Sequence, residues 1–310
     1  MTAPRHVVLG GNGIIGRETL RALRLHGLDP VSVGRRPAVD HTDASLTADL
    51  LDADAVGRAL DGADVAYFVA GLPYSVSVWA EQWPTMVQHT IAAARRHGTH
   101  LVYLDNVYAY AYGRVSGPMT EDTPIRPVSR KGRVRAEALD QLASAAADGL
   151  RVTIGRSADF FGPGATTSVL NGFVLDRIAA GKRPTWLLDA GQPHSLTSTV
   201  DVGDALVVLG TDERAAGRTW HLPTAPARTG RQVVELAGLP ATQTAVMGSA
   251  MLRLGGVFSA SARETLEMRY QWAEPSVLDS GAFERTFGIV PTPLEVSIPA
   301  ALAHTRSVSR

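Results

Sequence analysis

A short apolar run that leads straight into three spaced glycines most constrains the fold of this 310-residue chain. The run ends at Leu9, and a helical pattern follows the glycines. Strand, glycine turn and helix are the context that dinucleotide phosphates require, because the glycines permit the tight turn and a close backbone approach. The helix N-terminus then offers free N–H groups to the phosphates. We therefore predict a nucleotide-binding loop made of Gly10, Asn12, Gly13, Ile14, Ile15 and Gly16.

The residues after the second predicted strand bear on the choice of dinucleotide. That strand covers residues 30–33, and Arg35 and Arg36 follow it. A bare ribose 2′-hydroxyl usually meets an acidic residue here, whereas a 2′-phosphate is met by arginine, whose planar fork suits phosphate. Because no carboxylate stands at this point, the sequence favours NADP(H) over NAD(H). A pair of solvated arginines with no ligand is the alternative.

Composition excludes several classes of function. Thirty basic and thirty acidic side chains balance, so nothing indicates a nucleic-acid or membrane surface. No apolar run approaches the roughly 20 residues of a membrane span, and the predicted first strand leaves no room for a signal peptide, which predicts a cytoplasmic protein. Cysteine is absent and the nine histidines form no HExxH pair, so we expect no metal site.

Strand and helix patterns alternate through the first half of the chain. Strands are predicted at 5–9, 30–33, 65–69, 100–104 and 151–155, and helices near 14–26, 52–61, 79–97 and 130–147. This rhythm predicts an α/β fold with a doubly wound parallel sheet. The regular alternation fades after residue 165. We predict a nucleotide-binding domain over residues 1–165 and a smaller, less regular substrate lobe over 166–310, with some segments returning to the sheet.

Within the second lobe, helices are predicted at 168–180, 199–209 and 246–272, and proline-rich turns at 291–299. In the sheet, ligands bind where the strands end. Candidate site residues therefore follow the strands: Asp49 and Leu50 beside the adenine, Ala70 and Gly71 beside a ribose or nicotinamide, Asn106 and Tyr108, and then Ser157 and Phe160.

These motifs together resemble the extended and atypical short-chain dehydrogenase/reductase superfamily, the group of NAD-dependent epimerases and dehydratases. Besides the glycine loop, the resemblance rests on Asp49-Leu50, on 105–108, on 156–163, on Asp201-Val202 and on the tail 283–295. It implies a Rossmann sheet and an enzyme that uses a nicotinamide cofactor on a small-molecule metabolite, and Arg35 and Arg36 favour NADP(H) as that cofactor. It implies a homodimer through long helices as well.

The chain departs from this superfamily at the catalytic pair. The superfamily carries a tyrosine and a lysine four residues apart, and the lysine lowers the pKa of the phenol that exchanges the proton. When the chain is aligned through residues 135–137, these positions fall on Ser129 and Arg133. No Tyr-x-x-x-Lys occurs anywhere. Tyr110 and Arg114 have the spacing but lie in a Tyr- and Gly-rich loop, so we interpret them as a decoy.

Other residues are candidates for the roles of the absent tyrosine and lysine. Arg133 can hold ribose hydroxyls but is a poor proton reservoir, since a guanidinium does not deprotonate. Tyr108, beside Asn106, is our preferred proton donor, and a nearby guanidinium is expected to lower its pKa. Tyr74 stands above a strand end and is a candidate substrate contact.

Lys131, His194 and two tryptophans are further side chains that a site of this kind could use. Lys131 lies about 160° around the helix from the expected position, so we expect it at the surface. His194 is either a substrate contact or a satisfied surface histidine. The pair Trp79 and Trp83 is interpreted as core packing.

Two function classes follow. The first is an NADP(H) oxidoreductase with a substituted acid: a ketoreductase or dehydrogenase, or an epimerase or dehydratase with transient redox. The second is a protein on the same scaffold that binds cofactor without net hydride transfer, either a redox sensor or a non-redox cyclase or dehydratase.

Overall fold

The computed structural model describes residues 4–38, 44–110 and 117–308. Its strands are β1 His6–Leu9, β2 Pro30–Gly34, β3 Ala44–Thr47, β4 Val65–Phe68, β5 His100–Asn106, β6 Val152–Ser157, β7 Asp159–Phe161, β8 Thr185–Leu187, β9 Pro193–His194, β10 Leu196–Ser198, β11 Thr219–His221, β12 Arg228–Thr229 and β13 Ala245–Met247. Its helices are α1 Ile14–Leu25, α2 Ala53–Ala59, α3 Val76–His97, α4 Arg130–Ala147, α5 Asp176–Ala179, α6 Thr199–Thr211, α7 Gly230–Leu236, α8 Ser249–Phe258, α9 Ala260–Glu267, α10 Tyr270–Ala273, α11 Gly281–Phe287 and α12 Leu294–Val308.

Seven parallel strands form the central sheet in the order β11-β6-β5-β4-β1-β2-β3. Every residue of β1 and β4 is buried, as expected for strands that are covered on both faces. The sheet order reverses beside β1, so the predicted doubly wound α/β fold is confirmed. The carboxyl ends of β1, β4 and β5 lie side by side, and their following loops meet at that edge.

Helices cover both faces of the sheet. On one face α2, α3 and α4 pack over Phe68 and Tyr103, and on the other α1 and α6 pack over Tyr67 and Trp220. The helix after β5 buries the apolar side chains that its spacing predicted: Val134, Ala138, Leu142 and Ala145. Trp79 and Trp83 are buried in the core, which confirms their interpretation as packing.

The second half forms its own apolar core around Trp186 and Trp272 and also returns β11 to the sheet edge beside β6. Two sequence predictions were wrong in detail here. The predicted turns at 291–299 include the start of α12, which contains Pro299. The predicted helix at 246–272 is three helices, α8 to α10, and its first residues belong to β13. The helical segment predicted at 168–180 is confirmed, and it includes a π-helical turn at Asn171–Leu175 before α5. The boundary at residue 165 stays a prediction. Of the helices the structure describes, none is long and apolar enough to cross a membrane.

Candidate active site

The glycine loop between β1 and α1 has the shape that a bound phosphate needs. Gly10 has a φ of +98°, and a Cβ there would lie 2.5 Å from the Cα of Ala70. A Cβ on Gly16 would collide with the Gly10 carbonyl, so both positions require glycine. Gly13 caps α1 with extended backbone and there is no side-chain cap. The first-turn N–H groups of Ile14, Ile15 and Gly16 therefore remain available to an anion.

The end of β2 is tied to this loop. The Asn12 side chain donates to the carbonyls of Arg36 and Pro37, each at 2.9 Å. Arg35 and Arg36 are exposed, and their guanidinium groups form no ion pair within the described parts of the chain. Two basic groups thus stand beside the loop where a 2′-phosphate was predicted.

The remaining predicted cofactor positions surround the same edge. The Asp49 carboxylate accepts from the Leu51 N–H at 3.0 Å, and Leu50 is buried. Ala70 lies against Gly10, whereas the backbone at Gly71 faces open space. Farther along the edge, Ser157 is buried and its hydroxyl donates to a backbone carbonyl. Phe160 is half-buried against the core.

A buried charge triad supports the end of β5. The Asp105 carboxylate accepts from Arg135 at 2.6 Å and from Arg156 at 2.8 Å, and all three side chains are buried. Burial alone would raise the pKa of Asp105, but the two guanidinium groups lower it by more. The triad fixes the strand end from which Asn106 and Tyr108 emerge.

Tyr108 leaves β5 in a short turn. The Asn106 side chain accepts from the Tyr108 N–H at 3.0 Å and so shapes the backbone of that turn. The Tyr108 ring stacks on Trp79, with ring centres 6.2 Å apart. Its hydroxyl lies 3.5 Å from the hydroxyl of Tyr74, so two phenols meet above neighbouring strand ends.

Ser129 begins α4 as its N-cap. Its Oγ accepts from the Gly132 N–H at 3.0 Å and lies 3.2 Å from the Tyr270 hydroxyl. One turn later Arg133 is exposed, and its guanidinium makes no ion pair or hydrogen bond with the described residues. The structure therefore brings a third phenol to the position where the superfamily tyrosine was expected.

All three phenols have pKa values above their ordinary range. Burial is the main cause for Tyr108 and Tyr270, and also for Tyr74, where it acts on the hydroxyl although 42% of the residue is exposed. The Asp159 carboxylate adds to the shift in each case. The expectation that Arg133 lowers the pKa of Tyr108 was wrong, because burial and the neighbouring hydroxyl and carboxylate groups raise it. These phenols hold their protons at neutral pH.

Asp159 and His194 form a pair at the edge of this cluster. The His194 Nε2 lies 2.9 Å from the Asp159 carboxylate, and the imidazole stacks on Trp272 with ring centres 4.2 Å apart. His194 is only 3% exposed, so the alternative of a surface histidine was wrong. Within the described residues, no three His, Asp or Glu side chains are arranged as metal ligands.

The prediction for Lys131 was also wrong. This side chain is fully buried, and its ammonium donates to the carboxylates of Glu264 and Glu267. It lies 4.4 Å above the centre of the Tyr74 ring. The helical spacing correctly predicted that Lys131 lies on a different face of α4 from Ser129. It could not indicate that α9 packs against that face and buries the lysine.

Sequence reasoning missed Tyr270, Asp159 and the two glutamates of α9. Asp159 lies in the motif 156–163, just after β6, and its position at a strand end could have identified it as a candidate site residue. Tyr270 and the glutamates had no such signal, since their segment approaches the site only through tertiary packing. Of the pair Tyr110 and Arg114, Arg114 lies outside the described residues. Tyr110 is buried, and its hydroxyl lies 2.6 Å from the Nε2 of His221, which is typical of a structural hydrogen bond.

The fold and site together agree with the comparison to protein families. The sequence model of the NAD dependent epimerase/dehydratase family matches residues 6–222. The chain belongs to this family. A dTDP-6-deoxy-L-talose 4-dehydrogenase (NAD(P)(+)) of Kitasatospora kifunensis is 27% identical over 268 residues, which cover 79% of this chain and 83% of that protein.

Solved members of the epimerase/dehydratase family share the fold. A dTDP-glucose 4,6-dehydratase from Bacillus anthracis, solved with NAD, superposes with a TM-score of 0.81 at 14% identity over 98% of this chain and 97% of its own. A UDP-glucose 4-epimerase from Thermotoga maritima gives 0.79 at 15% identity, over 99% and 100%. These likenesses confirm the architecture.

Proposed function

We propose that this protein is an NADP(H)-dependent oxidoreductase that reduces the carbonyl group of a small-molecule metabolite, with Tyr108 as proton donor. The observation that carries the proposal is the position of Tyr108. Its hydroxyl meets that of Tyr74 at 3.5 Å, and Ala70, four residues before Tyr74, abuts Gly10 of the phosphate loop. The phenols thus stand beside the loop that would hold the cofactor.

Reduction of a carbonyl requires a proton donor as well as a hydride. A nicotinamide cofactor supplies the hydride when it is bound, and the protein must supply the proton. A phenol with its ordinary pKa near 10 is protonated at neutral pH, and burial raises the pKa of Tyr108 and Tyr74 further, so both hold a proton that they can donate, although each is a weaker acid than a free phenol. Arg133, exposed one turn beyond Ser129, is the side chain available to hold ribose hydroxyls.

Cofactor choice in this proposal rests on the end of β2. Arg35 and Arg36 are exposed there without ion pairs to described residues, and the position carries no carboxylate. A bidentate guanidinium contact to the 2′-phosphate would select NADP(H).

The substrate class is proposed from the family and the curated relative. That relative is named as a dehydrogenase at the 4-position of a deoxysugar linked to dTDP. We propose that the substrate here is likewise a ketone and alcohol pair on a polar metabolite, and a nucleotide-linked keto-sugar is the first compound to test. A homodimer and a cytoplasmic location stay predictions, and light scattering tests the first.

Turnover of NADPH with a panel of ketones and nucleotide-linked keto-sugars tests the activity. We expect loss of reduced-nicotinamide absorbance with at least one compound, and little with NADH at the same concentration. Tight NADPH binding with no turnover on any carbonyl would contradict the oxidoreductase.

Binding of NADPH without turnover would favour the alternative function, a cofactor-binding protein or a non-redox enzyme on this scaffold. One observation keeps it open: the superfamily pair is absent, and Ser129 and Arg133 stand there instead. A mass-spectrometric search for a bound metabolite would then identify what the site holds.

A further inference from the structure

The segment from α8 to α10 contacts the starts of α3 and α4, and Tyr270 is the first residue of α10. The Tyr270 hydroxyl is 3.2 Å from Ser129 at the start of α4. Tyr270 is half-buried and Ser129 is 4% exposed, so the pair forms a second set of hydroxyls beside Tyr74 and Tyr108. Burial raises the pKa of Tyr108, and the neighbouring Tyr74, Asp159 and Tyr270 side chains add to this.

Two carboxylates of α9 hold this segment against the first-half helices. Glu264 accepts from the Val76 N–H at the start of α3, with its oxygens at 3.1 and 3.2 Å. Glu267 accepts from the Arg130 and Lys131 N–H groups at the start of α4, at 2.5 and 3.2 Å. These residues lie three apart and so share one face of α9.

Neither receiving helix supplies its own acidic group. The first turns of α3 and α4 contain no Asp or Glu, and the Ser75 side chain makes no cap bond to α3. A helix N-terminus carries roughly half a positive charge, which carboxylates stabilise. The carboxylates of α9 therefore occupy two anion positions that the first half leaves open.

Lys131 completes the electrostatic balance. Its ammonium is fully buried between Glu264 and Glu267, with Glu267 Oε2 at 2.8 Å, and it lies over the Tyr74 ring. One ammonium and two helix ends, each about half a charge, match the two carboxylates. A buried lysine is stable only with such partners, so Lys131 and α9 depend on each other.

We propose that Tyr270 is a catalytic residue of this site, hydrogen-bonding together with Ser129 to a polar group of the substrate, and that Lys131, Glu264 and Glu267 are the positioning residues that lock it there. This inference rests on the proposed function. Tyr108 delivers the proton, and the Tyr270 hydroxyl donates a hydrogen bond that orients the substrate. No covalent step passes through Tyr270.

Steady-state kinetics of Tyr270→Phe, Lys131→Met and the double variant test the assignment. We expect each single change to lower kcat/KM about tenfold, mainly through KM, because a substrate hydrogen bond is lost or misplaced. The double variant should lose little more than the worse single one, since both act through the same hydroxyl. NADPH affinity should not change. Lys182→Met, at the other lysine of the chain, is exposed and serves as the matched control.

Limited trypsin digestion without substrate measures independently whether Lys131, Glu264 and Glu267 hold α9 in place. Arg263 and Arg269 are exposed cleavage positions on either side of Glu264 and Glu267. Cleavage there should be faster in Lys131→Met than in Lys182→Met or the wild type. If Lys131→Met does not fold, Glu267→Gln keeps the volume of the side chain and should show the same acceleration.

The outcomes separate this inference from the proposed function. Full kcat/KM in Tyr270→Phe, together with loss of turnover in Tyr108→Phe, would overturn the assignment of Tyr270 and leave the oxidoreductase intact. Equal rates of tryptic cleavage in the Lys131, Glu267 and Lys182 variants would overturn the positioning role of Lys131, Glu264 and Glu267. A wild-type protein that binds NADPH but reduces no carbonyl would overturn the proposed function, and with it the substrate contact of Tyr270.

Discussion

Arg135, in the second turn of α4, donates at 2.6 Å to the carboxylate of Asp105 near the end of β5, thirty residues earlier in the chain. Its guanidinium also lies 4.4 Å above the Trp83 ring. The contact joins the helix that carries Ser129 to the strand that carries Tyr108. The separation of the two candidate catalytic groups is therefore set by a buried ion pair rather than by either element alone.

Removing the shared carboxylate should destabilise the whole domain. Asp105→Asn leaves the buried guanidinium groups of Arg135 and Arg156 without a counter-charge, and we expect unfolding to become about 3–5 kcal/mol easier. Urea denaturation followed by circular dichroism measures this. Asp148→Asn, which breaks an exposed pair with Arg95, is the control and should cost under about 1 kcal/mol. Equal effects of both substitutions would contradict a structural role for the triad.

Tyr108→Phe tests the proton donor with little change in packing. We expect kcat to fall about 10²–10⁴-fold, the usual contribution of a general acid, with NADPH affinity nearly unchanged. Ser129→Ala is the companion variant. If Ser129→Ala abolishes turnover while Tyr108→Phe keeps it, the proton passes through the serine and our assignment is wrong.

Changing Arg35 and Arg36 together to alanine tests the cofactor preference. Loss of charge-assisted bonds to the 2′-phosphate should weaken NADPH binding about 10- to 100-fold and leave NADH binding unchanged. Fluorescence titration with both cofactors measures the difference. Lys182→Ala controls for the loss of surface charge. A wild-type protein that binds NADPH and NADH equally well would remove the basis of the assignment.

The stability of the fold should fall in mildly acidic solution because of His100. Burial, with help from Arg151, lowers the pKa of His100 to about 4, and its Nδ1 finds no partner among the described residues. The unfolded chain takes up this proton near pH 6.5. Stability is therefore complete above about pH 6.5 and falls as the pH drops towards 4, by about 3 kcal/mol in total.

Urea unfolding between pH 4 and pH 7 measures that slope. His100→Gln should flatten it, although loss of the hydrogen bond to Thr153 lowers stability at every pH. His26→Gln, at an exposed histidine, is the control. A slope that His100→Gln leaves unchanged would place the acid sensitivity elsewhere, with buried His6 as the next residue to test.

Much of the fold and the cofactor loop could be predicted from the sequence. The apolar run of β1, the glycines at 10, 13 and 16 and the helical spacing of α4 are local signals. Each depends on backbone geometry or on a repeat of two or 3.6 residues within one element. The prediction of a buried face at Val134 and Ala138 succeeded for that reason.

The composition of the active site was decided only by the tertiary structure. Sequence alone determined that a glycine-rich turn joins the first strand to the first helix, and it predicted a dinucleotide there. It also predicted that Ser129 and Arg133 stand at the positions of the superfamily tyrosine and lysine. It could not show that Lys131 is buried, or that Tyr270 meets Ser129 from 141 residues away. Those facts depend on how α9 docks onto the ends of α3 and α4. Charges brought together from distant segments leave no periodic trace in a sequence, because their partners are fixed by packing and not by spacing.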